Sequence, residues 1–179
     1  MRNLNLCALF LLLGMNCLNA QITVVKDSKP VSRILVEKGE AVDNQAALLL
    51  QDFVKRISGA SLPVVNDKSP RKGDIVIGGN DVSGLTEDGF RLKTENGIVF
   101  ISSGGDKGNI YGVVTLLEDY LGVAYYGANA YTLTERSTVV IPELDRAENP
   151  AFRYRQTQCY AIRTDSIYKW WNRLEEPNE

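Results

Sequence analysis

The sequence predicts an α/β domain of the α+β sandwich type, in which a mixed β-sheet carries two main helices packed on one face. Three observations predict this fold class. Short runs of β-branched and aromatic residues alternate with two longer segments whose apolar residues recur every three or four positions. Glycine, proline and asparagine fall at the junctions between these segments. The composition, with 44% hydrophobic and 23% charged residues in 179, supplies enough apolar side chains for one core.

The first residues have the features of an export signal. Arg2 supplies positive charge, residues 6–13 form an apolar run, and Ala20 is the small residue expected before a cleavage site. The run is shorter than the roughly 20 apolar residues that span a bilayer. The sequence therefore predicts a signal peptide over residues 1–20 and a periplasmic or extracellular mature protein. The alternative is a lipoprotein signal that anchors the protein through Cys17, although Asn16 stands where such signals carry a small residue.

The mature region is predicted to begin with two strands and a helix. Residues 22–25 and 32–36 are rich in β-branched side chains and are separated by a turn-prone segment. Asp43 or Asn44 can cap the helix, because a side-chain oxygen there accepts from the free amides of the first turn. Gly59 ends the helix, since glycine adopts the left-handed conformation without steric cost. The stripe predicted to face the core consists of Leu49, Leu50, Phe53, Val54 and Ile57.

Three further strands are predicted next along the chain. Residues 74–77 follow the helix at a spacing that fits a right-handed crossover with parallel pairing. Residues 90–94 alternate apolar and charged side chains, as a half-buried strand does. Asn96-Gly97 is the strongest hairpin signal in the chain. The continuously apolar residues 98–101 are predicted to form a strand buried on both faces.

A second helix is predicted over residues 106–121, with Gly122 at its end. Its apolar stripe includes Ile110, Val113, Val114 and Leu117. Residues 123–126 and 138–141 are predicted to be short strands, and the polar residues 143–149 a linker. The predicted sandwich domain therefore occupies residues 21–144.

Residues 145–179 are predicted to be a linker and the start of a second domain. Residues 152–160 have the pattern of a strand, and residues 166–174 have that of a helix start. Trp170 and Trp171 call for burial, which stabilises a large apolar side chain by roughly 1.5–3 kcal/mol, and the sequence suggests no partner for them. A segment of this length cannot build a core of its own. We therefore expect it to belong to a domain that the chain lacks.

The residue types limit the possible chemistry. The chain has no histidine, which removes Ser-His-Asp and Cys-His catalysis and the commonest zinc ligand. Cys159 is the one cysteine after residue 20, so the mature chain can form no internal disulfide, and we expect it to be a buried small hydrophobe. A formal net charge of −2 gives no sign of the basic surface that nucleic-acid binding requires. We predict no cofactor, no metal, no nucleic-acid partner and no stable membrane span.

Two kinds of motif invite a functional interpretation without supporting it. The pairs Gly78-Gly79 and Gly104-Gly105 lack the spacing of a phosphate-binding loop and are predicted to be turn glycines. Residues 102–106 could bind an anion before the second helix, but a capping role for Asp106 is preferred. Adjacent carboxylates do not converge on a helix or a strand, so these pairs are predicted to be solvated charges: Glu87-Asp88, Glu118-Asp119 and Glu175-Glu176.

An ordered set of motifs resembles a known domain. It consists of the D-G-F-x-L strand that starts at Asp88, the N-G-I hairpin at Asn96, and the helix motif G-x-x-Y-G-x-x-x-L-L that starts at Gly108. The segment S-G-A-S-L-P-V from Ser58 and the strand D-I-V-I-G-G precede them. Together they are similar to the N-terminal α/β domain of family 20 β-hexosaminidases and of bacterial α-glucuronidases. The resemblance covers about residues 22–155.

Residues 149–155 (NPAFRYR) resemble the P-x-F-x-x-R motif that opens the first barrel strand of these hydrolases. In hexosaminidases the arginine of that motif binds sugar hydroxyls, so the resemblance implies a substrate-binding role for Arg155. Two residues depart from the pattern. Gln156 stands where glycine is usual, and Ala124 replaces the arginine that comes after the Gly-Val turn in the glucuronidase-like group.

The resemblance implies a non-catalytic accessory domain of a secreted carbohydrate-active enzyme, truncated where the catalytic TIM-barrel domain, its partner, would begin. The family's acid and base carboxylates lie on later barrel strands, so we predict no catalytic residue and no glycosidase activity in this polypeptide alone. Two alternatives remain open. In the first, the chain is a stand-alone exported module that binds glycan through Tyr125, Tyr126 or Tyr131. In the second, it is a protein-interaction module whose Trp170 and Trp171 dock a separate chain.

Overall fold

A computed structural model describes residues 21–37, 39–67, 69–105, 107–128 and 130–175. The predicted signal peptide with Cys17, the proposed cap Asp106 and the acidic Glu176 lie outside the described residues. The strands are β1 (Ile22–Lys26), β2 (Lys29–Pro30), β3 (Ile34–Val36), β4 (Val64–Val65), β5 (Ile75–Gly79), β6 (Phe90–Glu95), β7 (Ile98–Ser103), β8 (Ala124–Gly127), β9 (Ala130–Thr132), β10 (Val139–Ile141) and β11 (Asp145–Glu148).

The helices in the described part of the chain are α1 (Ala41–Ser58), α2 (Gly108–Thr115), which continues into a π-helical turn (Leu116–Tyr120), α3 (Ala161–Thr164) and α4 (Ser166–Trp171). The long helix α1 starts at Ala41, so Asp43 lies inside its first turn and is buried rather than capping it. Gly59 ends α1 in the left-handed conformation with φ 76°, as predicted, and its amide donates to Lys55 O at 2.7 Å.

The largest sheet is mixed, in the order β11-β6-β7-β5-β3-β4. Strands β3 and β5 pair in parallel with Ile34 opposite Ile75, so the parallel pairing predicted for the two strands that flank α1 is confirmed. Strands β6 and β7 form the predicted hairpin, because Asn96 and Gly97 both take positive φ values of 52° and 77°. A separate three-stranded sheet has the order β10-β1-β2.

Helices α1 and α2 pack against each other and against the same face of the mixed sheet, which confirms the predicted sandwich. Their buried stripes meet alternate residues of the strands, among them Ile77, Leu92 and Ile101. The prediction that residues 98–101 are buried on both faces is wrong. Val99 and Ile101 are fully buried, whereas Ile98 and Phe100 are half-buried because no helix covers their side of the sheet in the described structure.

The polar segment predicted as a linker contains a strand. Residues Asp145–Glu148 form β11, which pairs antiparallel with β6 at the edge of the mixed sheet, with Arg146 opposite Leu92. Its alternating exposed and half-buried side chains suit an edge position, and such a pattern lacks the apolar residues that signal a strand in sequence.

We call residues 149–175 the tail. The prediction of a strand over residues 152–160 is wrong: this part of the tail is irregular. The predicted helix is present as α4, which begins after Asp165, whose side chain accepts from Tyr168 N at 2.9 Å. Cys159 is exposed, which contradicts its predicted burial. None of the described helices is both long and apolar enough to cross a membrane.

Candidate functional site

The segment that precedes β6 and the segment that connects β7 to α2 meet at one end of the mixed sheet. We call them the loop pair, and no space separates their backbones. A Cβ atom on Gly104 would lie 2.0 Å from Thr86 O, and one on Gly108 would lie 2.3 Å from Gly89 O. At the next turn of α2, a Cβ on Gly112 would lie 2.7 Å from Ile101 Cγ2. A Cβ on Gly89, the glycine of the D-G-F motif, would lie 2.2 Å from Asn149 Oδ1. Close packing therefore requires the glycines of the D-G-F and G-x-x-Y-G motifs, and it places the start of α2 against β6 and β7.

Asn149 joins this loop pair to the tail. Its Nδ2 donates to Gly84 O at 2.9 Å, and its Oδ1 accepts from Thr86 N at 2.8 Å and from the Thr86 hydroxyl at 3.2 Å. One amide side chain thus holds both sides of a loop 63 to 65 residues earlier in the sequence. The tail begins from a fixed point directly after β11.

Asp88 lies at the centre of a charged cluster beneath this loop pair. It is buried, with Lys107, Glu175 and Arg155 around it. Burial raises the pKa of Asp88 above its usual value, because the charged carboxylate is poorly solvated. Lys107 opposes this rise by attraction, and Glu175, which pairs with Lys107, adds to it by repulsion. The prediction that Asp88 is a solvated charge is wrong.

Arg155, the sugar-binding residue implied by the resemblance, packs into the same cluster. Its Nε donates to Arg173 O at 2.8 Å and its Nη1 to Phe152 O at 2.7 Å. Its buried Nη2 lies 4.0 Å from Asp88 Oδ2 without a hydrogen bond, and its guanidinium lies 5.8 Å from the centre of the Tyr111 ring. Both of these hydrogen bonds therefore go to carbonyls of the tail itself, and a role for Arg155 in binding sugar stays a prediction.

A second arginine of the tail repeats this mode of docking. Arg173 Nη2 donates to Thr115 Oγ1 at 2.9 Å, and its Nη1 lies 3.4 Å from Glu148 Oε2. Its guanidinium lies 5.6 Å from the centre of the Phe90 ring. The two arginines thus rest on aromatic rings at the start of β6 and in α2, on the helix side of the sheet.

Aromatic contacts hold the end of the tail, and they contradict the expectation that the two tryptophans lack partners. Trp171 is only 8% exposed, with its ring centre 5.5 Å from that of Phe53 and 5.6 Å from that of Tyr125. Its Nε1 donates to Glu118 Oε1 at 3.3 Å. Trp170 is half-buried against the same core. The pair docks on its own chain, so it gives no support for docking a separate one.

Tyr125 connects this aromatic cluster to the cap of α4. Its hydroxyl donates to Asp165 Oδ2 at 2.7 Å, and its ring stacks on Tyr131 with centres 6.5 Å apart. Burial, assisted by the bond to Asp165, raises the pKa of Tyr125 to about 12. Tyr125 is buried and Tyr131 half-buried, so of the three tyrosines considered for a glycan platform only Tyr126, 65% exposed, lies open to solvent.

Between its two anchored ends the tail displays aromatic side chains. Phe152, Tyr154 and Tyr160 are 72%, 51% and 73% exposed, and Cys159 is exposed beside them. Arg153, also on this stretch, pairs with Glu87 at 2.7 Å. Asn149 and Trp171 restrain the segment on both sides, so these apolar rings are held out from the sandwich.

The remaining carboxylates of the predicted pairs are engaged separately. Asp119 Oδ2 accepts from Arg146 Nη1 at 2.5 Å, and Glu118 accepts from Trp171. Among the described residues, no group of three or more histidine, cysteine, aspartate or glutamate side chains is placed to hold a metal ion. The contacts of these residues fix the tail on the sandwich. Sequence reasoning missed Asp88, Asn149 and Arg173 in this role, and the adjacency of Asn149 to Pro150 was the one signal that could have indicated it.

This fold occurs within solved glycoside hydrolases. A family GH115 4-O-methyl-α-glucuronidase, BtGH115A, matches 75% of this chain with a TM-score of 0.53 at 17% identity. The GH20 exo-β-N-acetylglucosaminidase of Vibrio harveyi matches 76% with a TM-score of 0.50 at 20% identity. A mutant β-hexosaminidase of Streptomyces plicatus matches 78% with a TM-score of 0.52 at 15% identity. The matched parts are only 19%, 18% and 25% of those chains, and at such identities the similarity establishes the fold alone.

The fold and its glycine-packed helix define the class of protein as an α+β domain with two helices on one face of a mixed sheet. The sequence model of glycosyl hydrolase family 20, domain 2, matches residues 20–118, which is more than half of the chain. The chain belongs to that family, which confirms the resemblance carried by the D-G-F, N-G-I and G-x-x-Y-G motifs. No curated protein matches the chain.

Proposed function

We propose that this chain is the non-catalytic accessory domain of an exported carbohydrate-active enzyme, and that its tail is the surface on which the catalytic TIM barrel packs. The observation that carries this proposal is the exposure of Phe152, Tyr154 and Tyr160 between two anchored ends of the tail. An exposed apolar surface is typical of an interface. Because the chain already holds these side chains in place, a partner would lose less free energy to their ordering when it binds.

The placement of the anchors supports this role. Asn149 fixes the point where the tail leaves β11, and Trp171 fixes the helix that comes after the exposed stretch. A partner that buried Phe152 and Tyr160 would therefore acquire a defined position relative to the sandwich. Membership of the domain 2 family supports a catalytic barrel as that partner.

The first experiment asks whether the chain is catalytically inert. Purified chain incubated with chromogenic β-N-acetylglucosaminides and α-glucuronides should release no chromophore above the blank, because a positioned acid and a barrel scaffold are both needed. Clear turnover that disappears in the Asp88→Asn variant would overturn the proposal, since it would place a catalytic acid in the charged cluster around Asp88.

The second experiment is to sequence the gene downstream of the Glu179 codon. An open reading frame that continues for about 250 residues with barrel periodicity would support the accessory role and the interpretation of the chain as a fragment. A stop codon with unrelated sequence after it would instead favour a stand-alone exported module. In the continuous protein, Phe152→Ser and Tyr160→Ser should loosen the contact between barrel and sandwich, whereas Tyr126→Ser is the matched control.

Export is proposed on the leader sequence. Mass spectrometry of the exported protein should find Gln21 as the first residue, in accord with cleavage after Ala20. A lipid-linked Cys17 as the first residue would replace soluble export with membrane anchoring. Retention of the intact leader inside the cell would contradict both.

A further inference from the structure

The face of the mixed sheet that lies opposite the helices carries a groove that the tail does not touch. Along β7, Val99 and Ile101 point to the helices, so Phe100 and Ser102 point to the other face. The register places Lys93 of β6 and Val76 of β5 on either side of Phe100. A half-buried aromatic ring therefore lies, beside the buried Val76 and Ser102, on the sheet face that carries no helix in the described structure.

The groove along this surface has a volume of about 300 Å³ and suits one sugar ring. Phe100 and Ser102 lie along its floor, while Lys93, Glu95, Asp81 and Asn80 surround them. Asn80 comes directly after β5, at the carboxyl end of a parallel strand, where ligands of open α/β sheets commonly bind.

Gly79 keeps one end of the groove open. A Cβ at this position would lie 2.7 Å from Ser102 Oγ and 3.5 Å from Phe100 Cδ1. The prediction of turn glycines is wrong for this pair, because both lie in β5: Gly78, with φ 88°, sits at the irregularity in the pairing of β5 with β7, and Gly79 ends the strand without a positive φ. The second glycine of the pair is therefore explained by the space that it leaves beside Phe100.

The polar groups at the rim are held in place by one another. Asn80 Nδ2 donates to Glu37 Oε1 at 3.0 Å, and Lys93 Nζ lies 3.4 Å from Glu95 Oε2 and 4.0 Å from Asp81 Oδ2. Three carboxylates and one ammonium thus line the groove, and the Arg91 guanidinium on the same sheet face lies 3.4 Å from Asp81 Oδ2. These groups together carry a net negative charge, so an anionic ligand is disfavoured. Carboxylate and amide oxygens accept from hydroxyl groups, and an aromatic ring suits the apolar face of a sugar.

We propose that this groove binds an uncharged pyranose unit, with the sugar ring against Phe100 and its hydroxyls bonded to Asn80, Asp81 and Glu95. This inference goes beyond the proposed function, because the site is complete within the sandwich and is independent of the tail and of any barrel. An accessory domain with such a site would hold polymeric substrate on the side of the sheet away from its helices.

The test is an NMR titration of the full chain with N-acetylglucosamine and methyl β-glucoside as neutral probes, and with glucuronate as the anionic probe. The neutral sugars should give saturable amide shifts centred on Asn80, Lys93 and Phe100. Glucuronate, which carries a carboxylate into an acidic groove, should bind about tenfold or more weakly. The Phe100→Leu variant should weaken neutral binding by about tenfold, and Tyr126→Leu, the matched change at an exposed aromatic residue, should leave it unchanged.

Several outcomes would overturn the proposal. They are the absence of saturable shifts with both neutral sugars, tighter binding of glucuronate, and shifts centred on Tyr126 or on the tail. Asp81→Ala and Glu95→Ala remove proposed acceptors at the rim and leave the floor unchanged, so they test the site even if Phe100→Leu unfolds, and neutral binding that survives both changes would also contradict the assignment. Failure here would leave the accessory role intact, because that role depends on the reading frame and the tail.

Discussion

The first half of the tail (residues 149–160) and the second half (residues 161–175) contain similar side chains. The two halves place these side chains in opposite environments. In the second half, Ile162 and Trp171 are buried, 2% and 8% exposed. In the first half, Phe152 and Tyr160 are 72% and 73% exposed. The difference shows that a long-range partner on the sandwich decides burial, whereas residue type does not. The second half is part of this chain's core, and the first half stays exposed to solvent.

The largest effect expected from this comparison comes from Trp171. Replacing it with alanine removes its ring from contact with Phe53 and Tyr125 and leaves a cavity, which should cost about 3–5 kcal/mol. We expect the loss to appear as a lower free energy of unfolding in urea and as faster hydrogen exchange across α3 and α4. Trp170→Ala, at the half-buried neighbour, should cost distinctly less. Equal losses at the two positions would mean that α4 packs with a different face toward the core.

The next effect tests the other anchor. Asn149→Ala removes an acceptor and a donor that hold Gly84 and Thr86, and because Asn149 is exposed, it should cost about 0.5–1.5 kcal/mol. Asn149→Asp keeps the acceptor for Thr86 N and loses the donor to Gly84, so it should fall between the wild type and the alanine variant. Urea unfolding of the three proteins gives this order. A wild-type stability for Asn149→Ala would show that β11 alone positions the tail.

Features whose cause is local could be predicted from the sequence. The hairpin at Asn96-Gly97 and the end of α1 at Gly59 each depend on a backbone conformation that these residues favour. A short segment of sequence is therefore enough to predict them. The apolar stripes of α1 and α2 indicated the core face for the same reason. The motifs around Asp88 and Gly108 indicated the family, although their physical purpose, the contact of two loops, became visible only in three dimensions.

Features that depend on distant partners could not be predicted. Trp171 finds Phe53 across 118 positions, and no local pattern announces such a contact. The polar strand β11 is stabilised by its pairing with β6 at a sheet edge and not by apolar alternation. Residues 152–160 have the alternation of a strand, but the described sheets offer them no pairing partner, so they remain irregular.

A smaller effect concerns the bond between Tyr125 and Asp165 that caps the docked half. Tyr125→Phe should cost about 1 kcal/mol at neutral pH. The pKa of Tyr125 rises from 10.0 to about 12 in the folded protein, so the stabilisation is fully present below pH 10 and is lost as the pH rises toward 12. Urea unfolding between these limits should show a steeper loss in the wild type than in Tyr125→Phe. Tyr111, whose pKa is also raised to about 12, contributes equally to both proteins, so parallel curves would contradict the assignment.

The smallest effect should come from the exposed half, and two positions in the tail give a matched test. Tyr160→Ser removes a ring that is 73% exposed, so the free energy of unfolding should change by less than about 0.5 kcal/mol. Ile162→Ala, only two residues further, removes a side chain that is 2% exposed and should cost about 2–5 kcal/mol. Urea unfolding of both variants at one pH measures the contrast directly. A large loss at Tyr160 would place its ring in the core of the isolated chain, and the exposed half of the tail could then no longer serve as the surface offered to a catalytic barrel.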